Sequence, residues 1–263
     1  MKKILVSIFF LIFIPCCSSK NDKDLASINL DDKKIFLEAI EYSKEKKYEE
    51  ASKKFKQINE ELPYSDFSSK AKIYDAYVNF EANKIKKTIF LLNDYLNMNP
   101  SGEFSIYAHY MIAMCYYVQI ADPERDSEFT KLALEKFSFI VNNFPNSKFG
   151  KDSKFKIDYL KNSIAIKEFN IGMFYLKKNA PTPAIKRFSN ILKHYQGTSI
   201  IPQTLFRISE SFMILGLNKE AYKNMEILKY NFPNNQWSKQ MITIKEKKLD
   251  ENNKKGFFSR IFK

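Results

Sequence analysis

Histidine, cysteine, glycine and tryptophan are all scarce: two, three, six and one in 263 residues. Each shortage excludes something. The histidines, His109 and His194, stand far apart, so no paired-histidine metal spacing exists, and no Gly-x-Ser-x-Gly elbow occurs either. So few glycines exclude most phosphate-cradling loops. His109 lies beside Tyr107 and Tyr110, and His194 beside Tyr195, which suits packing or surface positions. Cys115, in the apolar run Met111-Ile112-Ala113-Met114-Cys115-Tyr116-Tyr117, has no histidine next to it and reads as a buried thiol. Glu49, Glu50, Glu60 and Glu61 alternate with lysines at helical spacing, the pattern of a salt-laced outer face. No catalytic constellation can be assembled, so the expectation is a binding protein, not an enzyme, with no metal and no cofactor.

A hydrophobic run long enough to cross a membrane, on the order of 20 residues, is also missing. The longest, Ile4 to Ile14 with only Ser7 interrupting it, follows Met1-Lys2-Lys3 and precedes Pro15-Cys16-Cys17-Ser18-Ser19. A charged start and a short apolar core make a secretory signal. Its end resembles bacterial lipoprotein signals, in which a small residue precedes the cysteine that receives lipid. Cys17, preceded by Cys16, fits best, and Cys16 is the second choice. The likeness implies an N-acyl chain and an S-diacylglycerol on that cysteine, more than the two lipid signals that stable anchoring needs. Ser18 stands where aspartate would favour inner-membrane retention, so an outer-membrane location facing the periplasm is expected.

Removing Cys16 and lipidating Cys17 leaves only Cys115, so no internal disulfide can form. The core alone must then hold the fold, and 44% hydrophobic with 15% aromatic residues suffices for that. The formal charge of +13 is inflated by Lys2, Lys3 and the lysine-rich end. An exported chain does not meet nucleic acid, and the remaining basicity reads as solvated surface.

What the chain has in abundance is self-similarity. Five segments carry a small residue, a large apolar residue four positions on, another three further and then a proline: Ala51, Phe55, Ile58, Pro63; Thr88, Leu92, Tyr95, Pro100; Ala133, Phe137, Ile140, Pro145; Ala184, Phe188, Ile191 with Gln196 in place of proline; and Ala221, Met225, Leu228, Pro233. Offsets of four and three fall on one helical face, and the proline stops the helix. A partner helix precedes each, marked by Ala39 and Tyr42, by Ala76, by Ala113 and Tyr116, by Gly172 and Tyr175, and by Ser209 and Phe212. Small residues allow close helix approach while the aromatics fill the gaps between pairs. No pair can bury its face alone, so the expected fold is all-α: a right-handed α-solenoid of five tetratricopeptide-like repeats, about ten helices, with one concave face.

The expected organisation is a signal peptide over 1–16, a flexible tether over 17–31 and a repeat domain over 32–244, followed by a basic aromatic tail over 245–263. A long helix after Pro145, including 151–169 and running into the fourth repeat, is expected to join lobes at 32–146 and 147–244. The tail, ending Gly256-Phe257-Phe258-Ser259-Arg260-Ile261-Phe262-Lys263, has three readings: an interfacial helix on anionic lipid, a docking segment, or disorder.

Particular residues point further. Pro123, Arg125-Asp126, Thr130, Phe144-Pro145-Asn146-Ser147 and Asp152 form one cluster. Lys167-Glu168, Ile171-Gly172, Tyr175-Leu176-Lys177-Lys178, Arg187-Phe188 and Leu215-Gly216-Leu217 belong to a second. With the lipoprotein start, these resemble the BamD family of outer-membrane β-barrel assembly lipoproteins over most of the chain. Lys178-Asn179-Ala180-Pro181-Thr182-Pro183 departs from the family's Arg-Gly-Ala-Tyr-like turn, which leaves that turn's geometry open. The resemblance implies that the last repeats hold the barrel-assembly subunit BamA, with Arg187 near the contact. It implies that the first repeats read the C-terminal strand of unfolded outer-membrane proteins, and Tyr42, Tyr74, Tyr77 and Phe80 are the residues expected to take that peptide. The alternative is another periplasmic repeat lipoprotein, an adaptor for cell-wall enzymes or the Tol-Pal system.

Overall fold

A computed structural model describes residues 22–121 and 127–241. Cys16, Cys17, the 245–263 tail, Pro123 and Arg125-Asp126 lie outside the described residues. Ten helices follow one another among those described: α1 (Asp22–Lys44), α2 (Tyr48–Glu61), α3 (Ser68–Glu81), α4 (Ile85–Met98), α5 (Ser105–Tyr117), α6 (Ser127–Asn143), α7 (Lys148–Lys177), α8 (Pro181–His194), α9 (Ile201–Ile214) and α10 (Asn218–Asn231). The fold class is the expected one, helix pairs repeated in tetratricopeptide fashion.

The repeated positions are where the core sits. Ala51, Thr88, Ala133, Ala184 and Ala221 have no exposed surface, and neither do Phe55, Leu92, Phe137 and Phe188 four positions on. Ile58, Ile140, Ile191 and Leu228 are equally buried. Ala39, Ala76, Ala113 and Ser209 do the same for the first helices, where a larger side chain would hold the partner away. Four of the second helices, α2, α4, α6 and α10, stop just before a proline, which has no amide to donate, whereas α8 ends without one, Gln196 standing in its place.

Within four of the pairs, the connecting turn places one residue in the left-handed region: Lys46, Asn83, Asn179 and Gly216. Asn179 settles the departure from the family's turn. With φ of 55° it takes the conformation for which glycine is usually chosen, and asparagine is among the few other residues that adopt it readily. The turn closes normally, the Ala180 amide donating to the Tyr175 carbonyl at 3.0 Å, and Pro181 opens α8 where an amide hydrogen is dispensable.

Two expectations about organisation are corrected. Asp22 to Asp31, assigned to a tether, are already helical, because α1 begins at Asp22. The chain divides into compact units at residues 98 and 99, not at 146 and 147. Unit one holds α1 to α4, and unit two holds α5 to α10. The reason lies in α7, which is continuous through the stretch expected to bridge two lobes but lies wholly inside unit two. It packs on α6 and also reaches α5, where the Tyr110 hydroxyl donates to Asp152 Oδ2 at 2.6 Å. The third pair is thereby tied to the fourth.

Candidate partner-binding sites

In unit two, Arg187 follows from the helical register of α8. Phe188 points into the core, its ring 5.5 Å from Phe169 and lying over Gly172, which puts its predecessor on the rim. Arg187 Nη1 donates to both oxygens of Glu168 on α7, at 3.2 and 3.1 Å. Glu168 is largely covered, its side chain 15% exposed, whereas that of Arg187 is 40% exposed. Tyr195, just past the end of α8, has its phenol raised above the ordinary value by burial and, secondarily, by the negative charge of Glu168. The partner of Arg187 was not legible in the sequence, because it lies on another helix across the α7–α8 turn.

In unit one, the four aromatics expected to take a peptide stand on two helices, Tyr42 on α1 and Tyr74, Tyr77 and Phe80 on α3. Tyr42 packs against the cluster of Phe36, Ala39, Ala51 and Phe55. Tyr74 stacks on the same cluster, its ring 5.4 Å from Phe36 and 5.7 Å from Phe55. Each is thus partly a core residue. Tyr77, one turn further along α3, is as exposed as Tyr74, and its phenol is raised by burial and then by the charge of Glu81. Phe80 is half-buried near the end of α3. On α1, the exposed Leu37 joins Tyr42 in a shallow groove edged by Lys33, Lys34, Glu38 and Glu41, and sequence reasoning had passed over it.

Between the exposed tyrosines of α3 runs a polar network that the aromatic pattern had hidden. Asp75 is buried, and its Oδ1 accepts from the Ser52 hydroxyl at 2.5 Å and the Asn79 amide at 2.7 Å. Lys87 Nζ reaches Ser52 Oγ at 3.3 Å. Burial raises the Asp75 carboxyl above its ordinary value, more than these hydrogen bonds lower it. A raised folded-state pKa contributes stability that is full below the unfolded value, about 3.9, and is lost as pH rises through the folded one. Asp75→Asn therefore removes a downward slope in stability above about pH 4, which urea midpoints measured from pH 4 to 7 on both proteins will resolve. Equal slopes would sink the argument.

The remaining chemistry is muted. Burial pushes the Cys115 thiol up to about 12, far from the range of a thiolate nucleophile. His109 stacks 4.6 Å from Phe139, and burial followed by the charge of Lys136 lowers its pKa, which favours the neutral imidazole. Among the described residues no group of three or more His, Cys, Asp or Glu could hold a metal. No described helix is long and apolar enough to cross a membrane.

The family model described as YfiO, outer membrane lipoprotein, matches residues 29–228. The chain belongs to that family. The match contains Arg187, Glu168 and all four aromatics of unit one. Outer membrane protein assembly factor BamD of Rickettsia prowazekii is 35% identical over 233 residues, which is 89% of this chain and 93% of that protein. The BamD of Caulobacter vibrioides is 34% identical over 72% of this chain, which spans 62% of that longer relative. Among solved structures, the TPR2AB-domain:pHSP90-complex of yeast Sti1 matches with a TM-score of 0.44 at 14% identity, over 82% of this chain and 84% of that one. The repeat assignment rests on the helix pairs themselves and takes nothing from so distant a match.

Proposed function

We propose that this outer membrane lipoprotein works in outer-membrane protein assembly as a scaffold tethered by lipid on Cys17, facing the periplasm. In this reading unit two holds the barrel-assembly subunit BamA through the rim of α8 that carries Arg187. Unit one receives unfolded outer-membrane protein segments along α1 and α3, where Tyr42, Leu37, Tyr74 and Tyr77 offer apolar surface with polar edges. It acts by binding, without turnover and with no group beyond the covalent lipid.

The observation that carries the reading is Arg187. An arginine held against a covered carboxylate, yet 40% exposed, presents a charged planar fork in a fixed place, which lysine cannot copy. Charge reversal at such a point turns a favourable contact into repulsion and leaves Glu168 facing a second carboxylate.

The test is affinity purification of the chain from detergent-solubilised outer membranes, with Arg187→Glu alongside. Wild type should recover a large β-barrel protein with periplasmic domains, and the variant should recover at least about tenfold less, the loss typical of a broken charged contact. Recovery of cell-wall enzymes or Tol-Pal components in its place would replace this reading with that of a different periplasmic adaptor. Mass spectrometry of the same purified chain should show a lipidated N-terminal residue at Cys17. An N-terminus at Cys16, or one without lipid, would overturn that assignment.

A further inference from the structure

The position just before the large apolar residue of each second helix is occupied in turn by Lys54, Leu91, Lys136, Arg187 and Asn224. Only two of these five form ion pairs with the first helix of their own pair: Lys54 with Glu38 at 2.8 Å and Arg187 with Glu168 at 3.1 Å. They differ in kind. Lys54 and Glu38 are 33% and 40% exposed, so that pair is a solvent-screened surface contact. Glu168 is the more covered partner of its pair, and its two oxygens share the single nitrogen Nη1 of Arg187.

That geometry leaves the other edge of the guanidinium unused. Among the described residues no hydrogen bond engages Nε or Nη2 of Arg187, and these two nitrogens form the edge that takes a carboxylate with two parallel hydrogen bonds. A free arginine side chain samples many rotamers, and binding must otherwise remove that freedom. Glu168 has already removed part of it. We infer that Glu168 is a positioning residue, which anchors Arg187 by one nitrogen so that its Nε and Nη2 edge is set to receive a carboxylate or a pair of carbonyl oxygens from the partner. This rests on the reading of Arg187 as a contact residue and adds the group that orients it.

A competing role gives the opposite sign. If Glu168 merely neutralised Arg187, its removal would free the arginine and strengthen binding to an acidic partner. If it merely braced α7 against α8, its loss would lower stability and act on binding independently of Arg187. The discriminating experiment is a double-mutant cycle on the full-length chain, binding the purified barrel protein that co-purifies with wild type. We expect Arg187→Ala to weaken binding about 30-fold and Glu168→Ala about tenfold, with the double variant no weaker than Arg187→Ala, as for residues acting as one unit. Glu168→Gln, which still accepts from Nη1, should keep most of the affinity. In NMR spectra of the free chain, the Arg187 Nη1 and Nη2 hydrogens should be resolved by slowed guanidinium rotation in wild type and Glu168→Gln, where Nη1 is held, and be averaged together in Glu168→Ala.

Wild-type or tighter binding by Glu168→Ala, while Arg187→Ala is weak, would overturn the positioning role and leave the contact role intact. Additive losses in the double variant would also overturn it. Wild-type binding by Arg187→Ala would remove the contact role itself, and the inference with it. Glu168→Gln keeps the cycle decisive if the alanine variant fails to fold.

Discussion

Phe188→Ala should destabilise unit two by about 3–5 kcal/mol, the range for removing a fully buried phenylalanine. No part of Phe188 is exposed, and its ring bridges α8 to α7 through Phe169 and the bare backbone of Gly172. That bare backbone is why the cavity cannot close cheaply: Gly172 has no side chain to swing into the space left by the ring. The urea midpoint, followed through the fluorescence of Trp237, reports on the right unit, because this single tryptophan packs 5.1 Å from Phe206 in the same core. Partner binding should fall as well, since Arg187 is the next residue and its ion pair spans the same two helices. The contrast with Arg187→Ala separates fold from contact: that change should lower binding while it costs only about 1–2 kcal/mol of stability, as for the loss of a hydrogen bond to a partly covered charged group. A loss under about 1 kcal/mol in Phe188→Ala would mean that α7 and α8 repack, and that the core is less tightly specified than its burial indicates.

The repeats were legible because they are written in apolar side chains at a fixed helical spacing. Ala184, Phe188 and Ile191 could be placed on one face by counting, and all three are fully buried. Polar pairs have no such signature. Glu168 and Arg187 lie 19 residues apart, and their meeting depends on how α7 and α8 are aligned across the Asn179 turn, which composition does not record. The same applies to Asp75 and Asn79, buried on a helix whose tyrosines suggested a peptide-binding face. Tyr42 and Tyr74 looked alike as surface candidates, yet each leans on the Phe36 and Phe55 cluster, because an aromatic at the edge of a small core can serve packing and surface together. The unit boundary was misplaced for a related reason. Pro145 and the long helix after it look like a break, but Tyr110 and Asp152 join α5 to α7 across it through one hydrogen bond that no periodicity announces.

Gly150→Ala should destabilise unit two by about 2–3 kcal/mol, the cost of forcing extra volume into a close-packed site. Helix propensity alone gives the opposite sign, since alanine is better than glycine inside a helix by about 1 kcal/mol. Steric contact decides against it. A methyl group built on Gly150 would sit 2.2 Å from the Phe144 carbonyl oxygen and 3.0 Å from that of Pro145, both backbone atoms that no rotamer change can move aside. The Phe144 carbonyl is moreover held in place, accepting from the Ser147 amide at 3.1 Å and the Ser147 hydroxyl at 2.8 Å. The Ser147 hydroxyl oxygen in turn accepts from the Gly150 amide at 2.9 Å, capping α7. Pushing the first turn of α7 away from Phe144 thus also strains a cap worth about 1 kcal/mol. Gly197, where an added methyl group meets nothing within 4 Å, is the control, and Gly197→Ala should leave the midpoint within about 0.5 kcal/mol of wild type. If Gly150→Ala instead raised the midpoint, propensity would have outweighed the clash. The close approach of α6 and α7 at Phe144-Pro145-Asn146-Ser147 would then not be what requires glycine there.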